Sequence, residues 1–248
     1  PACSDLKKLG EKIGRKRVDK YGDTVISEPV AGDGFRRRHD EIKGKLLSLL
    51  KWSGIDVECE VFNLFSGLIP QEGLNRLERG RKRQGILPDF RIRSSVPRDG
   101  VGSGGAAVSE SRLAELKVLS SCPTRYARAP RSRVKAVKRR ADQLPIEYLK
   151  HARKVDTEYG GVKEGTVGPV EAKLASFPRI EGWVFGKWGE CSPDVHNLIR
   201  EMAKSRISYQ QELERKEGRR TKEVSDSASL SVLTGQIRRG LNVMAVRS

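Results

Sequence analysis

From Phe35 onward the apolar positions fall into patterns that change period along the chain. Ile42, Leu46, Leu49 and Leu50 share one face of a 3.6-residue repeat, and Gly54 follows as a stop signal, so a helix is expected up to about residue 52. The next segment, IDVECEVF (55–62), alternates instead. Val57, Cys59 and Val61 point one way and Glu58, Glu60 and Phe62 the other, which is strand periodicity. ILPDFRIR (86–93), with Ile86, Phe90 and Ile92 apolar, reads as a second strand. Residues 97–111 are rich in Gly and Ser and read as a flexible connection. RLAELKVLSS (112–121) reads as a third strand, with Leu113, Glu115 and Lys117 on one face and Ala114, Leu116 and Val118 on the other. A basic helical stretch at 133–159 is expected to bend at Pro145. A short helix near 170–176, a fourth strand in IEGWVFGKWGE (180–190), a helix over 194–217 and a last one near 230–241 complete the pattern.

The order is helix, strand, strand, strand, helix, strand, helix. It predicts an α/β fold, a mixed central β-sheet of about four strands flanked by helices, an αβββαβ core with helical extensions. Apolar content suits one core of about 150–180 residues rather than two. We therefore expect a polar N-terminal extension at 1–34, one domain at 35–208 and a basic helical C-terminal extension at 209–248.

Charge narrows the partners. Lys and Arg number 49 against 32 Asp and Glu, a net charge of +17, and the arginines cluster, which points to a polyanion such as nucleic acid. No run approaches the ~18 apolar residues of a membrane span. The first twenty residues lack the apolar stretch of a secretory signal, so an intracellular, neither secreted nor membrane-bound protein is expected. Cys3, Cys59, Cys122 and Cys191 have neither zinc-clip spacing nor the density of a disulfide scaffold, and a reducing compartment suits them. The start at Pro1 without Met fits a piece of a longer polyprotein or replication complex.

The candidate chemistry lies on strands two and three. Glu115 and Lys117 are two apart, hence on one face, and Asp89 lies opposite them if the two strands pair across 97–111. Charged groups on a sheet face are costly unless they serve a purpose. A hard divalent cation, Mg²⁺ or Mn²⁺, suits two carboxylates. It would polarise a phosphate, with Lys117 orienting or deprotonating the attacking water and stabilising developing charge. An acid-x-Lys triplet alone says little, since it recurs from Asp5, Glu41, Glu171 and Glu214. A second Pro-Asp, Pro193-Asp194, has the look of an ordinary helix start. Only Pro88-Asp89 with Glu115-x-Lys117 sits on two successive predicted strands.

With these residues in that order, residues 35–208 resemble the PD-(D/E)xK, or restriction-endonuclease-like, nuclease superfamily. RRRHDEIKGKLLSLLKWSGIDVECE followed by Pro88-Asp89 is similar to the endonuclease domains of site-specific retrotransposons, as are a downstream Lys154 and Tyr159 and the GPVEAKL segment. The resemblance implies a domain that nicks DNA, in the nucleus for a eukaryotic mobile element. Its departure is the long Gly/Ser insertion between Asp89 and Glu115. Cap-snatching RNA endonucleases resemble the same pattern and imply His39 as a further ligand, which would favour Mn²⁺. The alternative for His39 is an exposed residue at a basic helix start. Among the upstream acids Glu60 is the favoured extra ligand, with Glu58 and Glu41 as rivals.

Three basic runs bracket this constellation: Arg36, Arg37 and Arg38; Arg81, Lys82 and Arg83, preceded by Arg79; and Arg133, Lys135, Lys138 and Arg139, with Arg131 and Arg140 alongside. Each is expected to hold phosphate, Lys154 with them, although any such run can be merely solvated. Trp183 and Trp188 fall on opposite faces of strand four, one of them expected in the core. A non-catalytic basic module that docks nucleic acid is the competing function.

Overall fold

The structure is a computed structural model that describes residues 34–61, 64–65, 67–73, 88–93, 111–119, 130–186, 188–217 and 226–247. The expected N-terminal extension, the basic residues Arg79, Arg81, Lys82 and Arg83, and most of the Gly/Ser connection lie outside the described residues, as do the side chains of Arg36 and Arg37.

Helix α1 (Gly34–Trp52) buries Ile42, Leu46 and Leu50, one residue per turn on a single stripe. It ends as expected. Gly54 takes a left-handed φ of 76°, and the Ser53, Gly54 and Ile55 amides close onto Leu50 and Lys51 carbonyls. Strand β1 (Asp56–Cys59) is shorter than the alternation suggested, because Glu60 adopts φ 53° and leaves strand geometry. Strand β2 (Phe90–Arg93) pairs antiparallel with β1, Glu58 opposite Arg91 and Cys59 opposite Phe90. Strand β3 (Ser111–Val118) pairs antiparallel with β2, Phe90 opposite Ala114. Strand β4 (Glu181–Phe185) follows β3 in a four-stranded sheet of order β1-β2-β3-β4. The Leu119 amide donates to the Phe185 carbonyl at 2.8 Å, so the C-terminal ends of β3 and β4 meet and the two strands run parallel. The fold is thus α/β with a mixed sheet flanked by helices.

Helix α2 (Pro130–Gly160) starts three residues earlier than the basic pattern suggested and continues as one helix through Pro145. Helix α3 (Pro169–Ala175) is short, and its first amides are held from outside. The buried Asp156 carboxylate, on α2, accepts from Val170 N–H at 3.0 Å and Glu171 N–H at 2.9 Å. This supplies the cap that Gly168 lacks, and Gly168 has no room for a side chain, since a Cβ there would lie 2.2 Å from the Asp156 carboxyl carbon. Helix α4 (Pro193–Lys216) begins at the second Pro-Asp, with Ser192 before it and Asp194 in its first turn. Helix α5 (Asp226–Arg247) packs on α4 and buries Ile237 and Leu241. The boundary expected at 208 falls inside α4. None of the described helices is long and apolar enough to cross a membrane.

The described residues divide into two compact units. Among the described residues, one draws on 34–49, 116–119, 130–140, 183–186, 188–217 and 226–247. Its buried apolar residues include Leu116, Val137, Trp183, Val184, Phe185, Leu198, Ile199 and Met202. The other draws on 50–61, 64–65, 67–73, 88–93, 111–115 and 141–182. There Val61, Leu64, Phe65 and Leu113 cluster with Tyr148, Ala152 and Val155 of α2 and Val170 and Leu174 of α3. In this second unit Arg112 and Glu181 form a 2.7 Å ion pair, and Gly182 lies against α2 so closely that a Cβ would stand 2.6 Å from the Ala141 Cα.

Trp183 fulfils the core expectation, fully buried on β4. Trp188 does not lie on that strand. β4 stops at Phe185, and a tight turn follows in which Gly189 N–H donates to Gly186 O and Phe185 bridges to Cys191.

Candidate active site

The site begins with sheet register. Phe90 faces Ala114, so one further step along the same antiparallel ladder sets Asp89 opposite Glu115. On the other side the β1–β2 register runs from Asp56–Arg93 to Cys59–Phe90, and the Glu60 amide donates to the Asp89 carbonyl at 3.0 Å. Asp89, just before β2, thus lies next to Glu115, while Glu60, just after β1, is joined to Asp89 through the backbone and has left strand geometry. Residues directly opposite share a face and have Cβ atoms about 5 Å apart, a span that one small cation bridges.

Burial differs among the three. Glu115 is buried, Asp89 is half-buried and Glu60 is exposed. Glu115 is held by a group the sequence reading missed. The Tyr148 phenol, itself buried on α2, donates to Glu115 Oε2 at 2.5 Å. Burial first, then the Glu115 carboxylate and its hydrogen bond, then Asp89, push the phenol far above its ordinary value of 10. Tyr148 thus stays a neutral donor. The available signal was helical spacing: Leu144, Tyr148 and Ala152 repeat every four residues on the buried stripe of α2, and a phenol on such a stripe needs a partner.

Lys117 is half-buried two residues beyond Glu115 on the same strand, so the strand pleat gives both the same side. The other nominated ligands go elsewhere. His39 Nδ1 lies 3.2 Å from Asp40 Oδ1. Glu58 is engaged across the ladder by Arg93 at 3.2 Å and Arg91 at 3.9 Å. Glu41 is exposed and acts on Arg38, whose guanidinium burial lowers and Glu41 raises. Among the described residues no three His, Cys, Asp or Glu side chains gather closely enough to hold a metal ion. The four-ligand set of Asp89, Glu115, Glu60 and His39 is therefore not assembled, and the sheet offers the two carboxylates Asp89 and Glu115.

The basic residues of α2 separate by helical phase. Arg131, Lys135, Lys138 and Arg139 are all exposed and fall within an arc of about 100°. Arg133, from the same basic run, takes the opposite side. Its guanidinium lies 5.4 Å from the Trp188 ring and 3.1 Å from Glu190, so it braces the turn after β4 rather than facing solvent. Lys154 is exposed and pairs with Glu158 at 3.4 Å, in a polar cleft of about 620 Å³ that Arg153, Thr166 and Glu171 also line. Arg153 there is tied to the buried Glu171 at 2.7 Å. Tyr159, paired with Lys154 in the family resemblance, packs against the apolar cluster of its unit.

No protein-family model matches the chain, and neither a curated protein nor a solved structure matches it.

Proposed function

We propose that the chain is a divalent-metal-dependent endonuclease of PD-(D/E)xK type that hydrolyses phosphodiester bonds in DNA. The observation that carries this reading is the β2–β3 register, which ends at Phe90 opposite Ala114 and so brings Asp89 beside Glu115, with Lys117 next but one on the same strand. Two carboxylates suit Mg²⁺ or Mn²⁺, which takes few protein ligands and keeps several waters. Such an ion would polarise a scissile phosphate and lower the pKa of a water. Asp89 and Glu115 would hold it, and Tyr148, donating to Glu115 Oε2, orients that carboxylate. The Lys117 ammonium orients the attacking water and offsets the negative charge that grows on the phosphate. Arg131, Lys135, Lys138 and Arg139 neutralise flanking phosphates from the exposed side of α2. In a mobile element this activity would nick the target strand, in the nucleus of a eukaryotic host.

The test is cleavage of supercoiled plasmid and of structured RNA in Mg²⁺, Mn²⁺ or EDTA, beside Asp89→Ala and Lys117→Ala. The reading expects nicked plasmid with metal and none in EDTA or with either variant. Cleavage that persists in EDTA or in both variants would sink the metal site. Binding without cleavage under every condition would leave a docking module, and cleavage of RNA alone would reassign the substrate.

A further inference from the structure

We infer that Arg200 of α4 and Arg238 of α5, both beside His196, form a site that grips a backbone phosphate of nucleic acid. The inference rests on the reading that the partner is nucleic acid and is independent of the carboxylate pair. All three residues belong to one compact unit. His196 and Arg200 are four apart on α4 and so stack on one face, with Lys204 a further four along. α5 packs on α4, and Arg238 follows the buried Ile237 with its Nη2 3.5 Å from His196 Nδ1.

Cations brought together on a surface ordinarily have a carboxylate among them. Here neither guanidinium forms an ion pair among the described residues. α5 has no acid after Asp226, and Glu190, before α4, is engaged by Arg133 at 3.1 Å. The group that meets Arg238 is an imidazole instead. A guanidinium only donates, so Nδ1 accepts and the ring is neutral there. Burial, then Arg238 and Arg200, hold the imidazole below its ordinary 6.5, which keeps it neutral at pH 7. A carboxylate in this place would fix Arg238 and cancel its charge. The neutral ring fixes it and leaves the charge for a ligand, so His196 is a positioning residue. Both arginines are exposed, and guanidinium forks match phosphate oxygens. The net charge of +17 favours a phosphate carried on a polyanion over a free one.

Fluorescence anisotropy of a labelled DNA duplex with the full chain tests this, over a series of salt concentrations and in EDTA, where no metal contributes. The double variant Arg200→Gln/Arg238→Gln should make the plot of log K against log salt shallower by about 0.9, the share of one phosphate contact. Arg200→Lys/Arg238→Lys keeps the charges and should keep the slope. Arg215→Gln/Lys216→Gln removes as much charge from the end of the same helix, where Lys216 already pairs with Glu212 at 2.9 Å, and should leave the slope unchanged. An unchanged slope in the first variant, or an equal loss in either of the other two, overturns the inference and leaves the nucleic-acid reading standing. A wild type that does not bind the duplex overturns both. Calorimetry with inorganic phosphate separates the sources: a first variant that loses only this binding, with the duplex held as before, assigns the arginines to a free anion and overturns the inference. Should that variant fail to fold, Arg200→Gln alone decides by the same slope.

Discussion

Asp89→Asn should stabilise the protein without metal and destabilise it, relative to wild type, with metal. Two carboxylates opposite each other on adjacent strands repel. At about 5 Å and an effective dielectric constant near 20 the repulsion is about 3 kcal/mol. Asp89 is half-exposed, and solvent reduces that to about 1–2 kcal/mol. For a chain of this length each kcal/mol moves Tm by about 2–4 °C, so the variant should melt roughly 3–6 °C higher in EDTA. Saturating Mg²⁺, at about a hundred times its Kd, adds about 2.7 kcal/mol to the wild type and little to a variant that has lost a ligand. The order of the two melting curves should therefore invert between EDTA and Mg²⁺, read by circular dichroism or by dye-based thermal shift. A variant that melts below wild type in EDTA, or curves that keep their order in Mg²⁺, would refute the apposition of the two charges or its purpose.

Other expectations follow from the packing. Asp156→Ala strands two buried amides at the start of α3, each worth about 1–3 kcal/mol, and should lower Tm by roughly 10 °C, with Asp156→Asn recovering about half by retaining one acceptor. Gly182→Ala drives a methyl against the α2 backbone at Ala141, and its urea midpoint should report a loss of about 1–3 kcal/mol. His196 lies on α4 with Arg238 of α5 3.5 Å away. Burial, then Arg238 and Arg200, hold its imidazole below the ordinary 6.5. The folded state thus prefers neutral His196. The stability this gives is complete above pH 6.5 and is lost as pH falls through the lowered value, and His196→Gln should flatten that acid limb in a pH series of melting curves.

Strong periodicity made the secondary elements legible, and register made the site. The stripe Ile42, Leu46, Leu50 and the glycine after it carry α1 in the sequence itself. The ends of β1 and β4 were not visible. Alternation continues through Val61 while the backbone turns at Glu60, and Trp188 follows β4 in sequence while a two-glycine turn has already ended the strand. Asp89, Glu115 and Lys117 stand out because charges on a sheet face are conspicuous against apolar neighbours. Tyr148 does not, since an aromatic on a helical stripe looks like packing until the strand it touches is known. Arg133 misled for a related reason: a run of basic residues reads as one surface, but a helix distributes it around the axis, and this residue faced a tryptophan.

The outer strand also bears on how the molecule meets its own copies. β1 is four residues long and lies at one end of the sheet. Arg91 and Arg93 reach across to Asp56 and Glu58, so its rim carries charge of both signs. Glu60 then turns the backbone out of strand geometry. A strand from another molecule would have to displace ion pairs for very few ladder bonds, and it would run out of template within a few residues. The turn at Glu60 that ends the strand beside the carboxylates thus also guards that edge against runaway strand addition and the fibres it leads to.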